Sequence, residues 1–399
     1  SIGWEPQNLL FNAVDALIGD PAISDAFGGS GQSEAEAYLV DSTVDAGGLL
    51  SVTATAGADL TAELTNDVAI EGSSTFTAAE GVSFGATLAS NKVSSSATAL
   101  IDFTVEGTDP VTSESVTAYT GAKTIDADGG VTVKADDTAM IDSTITLNSS
   151  TATEADSTFG TASAKGFSFA VTLNEVRGGA TAMVDDATVT ASGGVILVQA
   201  LADGTMTAQT DVTAETSASG GSLLGGTTTL TINGIASTNV VLGGAEAKVT
   251  DSSLTTTGTD PLDGGVTVDA QNTANLTAGT INAVDGGSKG VGVTLAFNSI
   301  GWESQNLLFN TVDALIGSPE ISDAFGAGGQ GNANAELHDT TVDASGALAV
   351  TATAGATLTA TVDNRTETSA SSDLRVASGM SFGAVLSQNK VSSSASATI

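Results

Sequence analysis

The chain has 399 residues, with 46 Asp and Glu against 10 Lys and Arg, one His and no Cys. This balance excludes a nucleic-acid footprint and an anionic membrane surface, both of which need basic residues. It also excludes disulfides, thiolate catalysis and zinc–cysteine sites.

Hydrophobic residues make up 41% of the chain and alternate regularly, which speaks against an acidic disordered polymer. Aromatics are only 4%, so a thin core of small side chains is expected, with hydroxyls outside. No run reaches transmembrane length.

In chain order, residues 1–34 come first and break the β pattern. Leu10, Ala13, Val14, Leu17 and Ile18 fall on one helical stripe, Pro6 suits a first turn, and Gly19 and Pro21 suit a stop. This segment reads as a short helical insert on the flank of a β structure. Trp4, Phe11 and Phe27 concentrate aromatics there, either as a lid on the flank or as a lateral contact between filaments.

Residues 35–298 are read as β. Leu50-Ser-Val52-Thr-Ala54-Thr-Ala56 alternates with period two. The same pattern returns around Val133, Val198, Val268 and Val350. A second strand set covers residues 84–88, 167–173 and 291–297. Gly pairs such as Gly47-Gly48 and Gly129-Gly130 are expected to supply positive φ in turns.

At residue 299 the chain begins again. Residues 299–325 repeat residues 1–27 at an offset of 298, differing only at Pro6, Ala13, Asp20 and Ala22. Residues 299–332 thus form a second insert, carrying Trp302, Phe309 and Phe325, and 333–399 open the next β stretch. Within the period, Val52, Val133, Val198, Val268 and Val350 are 81, 65, 70 and 82 residues apart. An Asn followed by an apolar residue two places on (Asn91, Asn174, Asn233, Asn298, Asn389) recurs in step. Each period is therefore four diverged units.

An array must stack rather than close. The fold class is all-β: a parallel β-helix (β-solenoid) with one short helical insert per 298-residue period. Coils of roughly 20–25 residues, about three per unit, would make one period on the order of 60 Å long at ~4.8 Å per coil. Residues 63–78 differ most between the two copies and read as an exposed loop. The recurrent Asn reads as a corner residue.

Candidate chemistry is sparse. The lone His338 stands where the first copy has Val40, so no Ser-His-Asp array recurs. Asp126/Asp128 and Asp136/Asp137 are the closest acid pairs and read as solvated turn acids. Calcium is the most plausible ion for an oxygen-only surface. Asp126-Ala-Asp128-Gly-Gly lacks the remaining ligands of an EF-hand, however, and residues 28–33 end a calcium-nonapeptide-like start in Ser. Thr-x-Thr pairs such as Thr53/Thr55 raise ice binding, which the irregular unit lengths are expected to deny.

Thr43 to Ala54, with its Thr-Val-Asp-Ala-Gly-Gly and Val-x-Ala elements, resembles the giant β-strand-repeat surface proteins of Gram-negative bacteria. These include large adhesins and filamentous-haemagglutinin-type β-helices. The resemblance implies export, display at the cell surface or in an extracellular fibre, and a structural or adhesive role without enzyme activity. Its partners would be neighbouring repeats and other copies in a filament. A module binding calcium or glycan through its loops is the alternative.

Overall fold

The structure, a computed structural model, describes residues 1–2, 17, 33–75, 77–103, 107–108, 115–116, 118–156, 160–220, 226–258, 264–302, 311, 315, 317, 331–369 and 378–399. Three parallel sheets wind around one axis. The first broad sheet stacks Leu50–Ser74, Val131–Ala155, Ile196–Ser219, Val266–Gly286 and Leu348–Thr368, which define coils one to five. The second stacks Ser33–Val40, Ala78–Asp102, Thr161–Asp185 and Thr227–Thr250. It continues with coil four (Lys289–Ile300, Gly331–His338) and coil five (Met380–Val391, Ser394–Thr398). A narrow sheet of Val44–Ala46, Thr124–Ala127, Thr188–Ala191, Ser253–Thr256 and Thr341–Ala344 closes one end of each coil.

Each sequence unit is thus a single coil. The strands run up to 25 residues, about 80 Å at ~3.3 Å per residue. This corrects the expected coil of 20–25 residues: the chain does not turn within these strands. Four coils per period shorten its axial length to about 19 Å, not 60 Å. The unequal unit lengths are absorbed between strands, notably at 103–123 and 301–330, so the register holds across all five coils.

The core explains why few aromatics are needed. Val52, Val133, Val198, Val268 and Val350 stack in register, and beside them Ala54, Ala135, Ala200, Ala270 and Ala352. Ala97, Ala180, Ala245 and Ala333 of the second sheet belong to the same cluster, so the two broad sheets meet through small side chains. At the corner into the narrow sheet the backbone turns left-handed at Asp41, Asp186, Asp251 and Asp339, with φ of 47 to 50°. Asp tolerates this conformation. Among the described glycine pairs, which lie at the next corner, between the narrow sheet and the first broad sheet, only Gly130 has positive φ.

The segment expected to be a loop is strand as far as Ser74. Its counterpart continues to Thr368. Both stay in register with the neighbouring coil along their whole length. Of the inserts, Leu17, Thr311 and Leu315 have helical backbone, and both leucines are exposed. Trp4, Phe11, Phe27, Phe309 and Phe325 lie outside the described residues. Across from the second insert, Thr227–Thr250 runs unbroken, pairing Val241 with Ile300 and Gly243 with Gly331.

Candidate functional surfaces

The recurrent asparagines form a ladder inside the solenoid rather than a corner. Asn91 Nδ2 donates to Asn174 Oδ1 (2.9 Å), Asn174 to Asn239 (2.8 Å), Asn239 to Asn298 (2.9 Å) and Asn298 to Asn389 (2.9 Å). The coil-three member is Asn239, not Asn233. Both have an apolar residue two places on, and only the register tells them apart. Asn233 faces inward elsewhere, donating to the carbonyls of Val212 and Ala283.

Of the two acid pairs, Asp126 and Asp128 are both exposed at the end of one narrow strand, and Asp136 and Asp137 are split. Asp136 and Asp137 lie on opposite faces of one strand. Asp136 accepts from Lys134 Nζ at 2.9 Å, whereas Asp137 is fully buried beneath Gly179, whose N–H lies 2.8 Å from Oδ2. Burial pushes the Asp137 carboxyl above the ordinary range, and the Ser95 hydroxyl and Gly179 amide oppose it less strongly. Asp126 sits on the narrow sheet between Asp45 and Thr190. Buried Glu175 pairs with Arg177 at 2.5 Å.

At the corner, burial raises the Asp185 carboxyl and the nearby charges of Asp251 and Asp186 raise it further, while Lys123 pairs with Asp186. Among the described residues, no group of three or more His, Asp or Glu is placed to hold a metal ion. His338 is exposed at a strand end, with Nδ1 3.3 Å from Asp339. Trp302 is half-buried under the Lys390 ammonium, 5.3 Å from its ring centroid. A contact of this kind is worth about 0.5–1 kcal/mol and ties coil four to coil five. No helix among the described residues is long and apolar enough to cross a membrane.

The outer faces of the two broad sheets differ sharply. The first presents Thr and acids. Thr61, Asp142, Thr207, Thr277 and Thr359 share one column, so the irregular unit lengths do not prevent Thr from stacking. Acids interrupt the rows instead. Asp269 on this face accepts from Thr351 (2.6 Å), Gln199 (2.9 Å) and Gln271 (2.7 Å), linking three coils. Burial alone would raise its carboxyl, but these bonds outweigh that and hold it below the usual range.

The second broad sheet is inverted over the half that begins each strand. Phe84, Phe167, Ile232, Val291 and Phe382 form one outward column, and Leu88, Val171, Ala236, Leu295 and Leu386 another. The inward side mixes hydroxyls and amides with smaller apolar residues: Ala170 and Ile235 cluster with Leu147 and Val212. Ser83 bonds Ser149 and Thr151, Thr172 bonds Thr210 and Ser237, and Thr216 bonds Thr231. The expected arrangement, apolar inside and hydroxyl outside, fails here: hydroxyls share the interior and large apolar side chains lie outside. Gly residues let the sheets close over this interior: a methyl group at Gly81 would lie 2.8 Å from Thr153 Cγ2.

Comparison of the chain with protein-family models, curated proteins and solved structures returned no match.

Proposed function

We propose that the chain is a segment of a giant extracellular bacterial surface protein, a β-solenoid stalk or filament that serves attachment to cells or surfaces. The observation that carries this reading is the boundary between periods. Coil five repeats coil one at an offset of 298 residues, and it stacks on coil four with the same parallel register that joins coils within the period. Added periods would lengthen the same rod, as a stalk requires. The acidic excess keeps such rods apart from nucleic acid and anionic lipid. The extracellular and adhesive parts rest on the resemblance of the repeats to bacterial surface β-solenoids. In this reading the chain has no catalytic role.

Cryo-electron microscopy of the chain tests the rod. The expected result is a particle about 80 Å broad with a ~4.8 Å layer spacing. A compact globular particle overturns it. Antibody labelling of intact producing cells tests location, and signal only after cell lysis overturns the surface assignment.

A further inference from the structure

The outward half-face of the second broad sheet is the least charged surface of an otherwise acidic molecule. Its five strand segments are residues 82–90, 165–173, 230–238, 289–297 and 380–388. They contain no Asp or Glu, and their only charges are Lys165 and Lys289. The opposite broad face carries Asp59, Glu63, Asp142, Asp211, Glu215 and Asp363, and the whole chain has a net charge of −36.

On the acid-free face Phe84 is 63% exposed, Phe382 58% and Phe169 40%. Phe84 and Phe169 form a tilted pair with centroids 6.1 Å apart. Five coils by nine residues make a patch of about 700 Å². That footprint approaches the ~800 Å² each partner gives a standard interface.

We infer that this face is a self-association surface on which a second copy of the chain docks, sheet face to sheet face. Charge selects the occupant. Two molecules of −36 repel through their acidic faces, and of the two broad faces among the described residues only this one brings an acid-free surface against its identical counterpart. The acidic face of each copy then points away, on the far side of its own solenoid. A face of parallel strands in register suits sheet-on-sheet packing at about 10 Å. The half-face is present in every coil, so the contact lengthens with the number of coils and joins rods side by side, whatever the rods attach to.

Sedimentation of the 399-residue chain tests this at micromolar concentration and rising salt. A dimer that strengthens as salt screens the net charge is expected. The triple variant Phe84→Glu, Phe169→Glu, Phe382→Glu should weaken dimerisation at least about a hundredfold, because charges would be buried at the contact. These side chains face outward, so circular dichroism should be unchanged, and melting should match wild type at concentrations where both are monomeric. Mixing that variant with its Lys counterpart (F84K, F169K, F382K) should restore a heterodimer, whereas Thr61→Glu with Thr207→Glu on the other face should change nothing. The inference is overturned by a wild-type monomer at all salt concentrations, by a dimer indifferent to the Glu variant, or by a monomer that instead binds phosphatidylcholine vesicles through this face.

Discussion

At the scale of single residues, the ladder and the buried acids make opposite contributions. Asn174 accepts from Asn91 and donates to Asn239. Asn174→Ala would leave the Asn239 carbonyl oxygen unpartnered in a buried column, at a cost of about 1–3 kcal/mol, measured by denaturant unfolding. A corner Asn would lose only a few tenths. Asp137 occupies a column in which the other coils place Ala56, Ala202, Asn272 and Ala354, and its Oδ1 has no hydrogen-bond partner. Its folded carboxyl titrates above its unfolded value. The folded state therefore holds the proton to higher pH, and stability falls as pH rises through that interval. Asp137→Asn should remove this fall and make the chain more stable at pH 7 than wild type. Asp269 has the reverse sign: its lowered carboxyl stabilises above the unfolded value, and that contribution is lost as pH falls through the folded one. Asp269→Ala should flatten the acid limb of a melting-temperature profile. The sequence made the recurrent Asn visible, but neither the identity of the coil-three member nor the burial of Asp137 beside half-buried Asp136 could be read without the register.

At the scale of elements, alternation identified the strands but not which side of each faces in. The strand from Leu50 turns its Val and Ala inward, whereas that from Ala78 turns Phe84 and Leu88 outward over most of its first half. Leu276 is buried in a cluster with Met206 and Ile141, and Leu276→Ala should cost about 2–5 kcal/mol. Phe84→Thr should change unfolding stability by no more than about 0.5 kcal/mol, as for an ordinary surface position. Equal losses at the two sites would show that the second sheet's apolar side is packed. Residues 63–74 diverge between the copies yet are strand: divergence marks weak side-chain constraint, and backbone pairing with the next coil holds a strand whatever its outward side chains are.

At the scale of the whole molecule, the second insert leaves and re-enters one strand position. Ile300 and Gly331 pair with Val241 and Gly243 of an uninterrupted neighbour, while coil five passes the same place with only a short break between Val391 and Ser394. Excising residues 303–329 should therefore leave the solenoid folded, with unchanged β circular dichroism. Loss of the β signal would show that the insert holds the coils together.

The sequence by itself determined the 298-residue period, its four units, the β class and the parallel stacking. Repeated units that alternate apolar and polar residues stack most simply unit over unit. Only the tertiary structure decided the size of the coil and the polarity of its faces. A strand of 25 residues looks in sequence like several short ones, because alternation has no mark for where the chain fails to turn. A period of two also defines two faces without ranking them. Which face goes inside depends on the opposite sheet, and there Ser83, Thr172 and Thr231 find hydroxyl partners, share the interior with Ala170 and Ile235, and leave Phe84 and Leu88 outside.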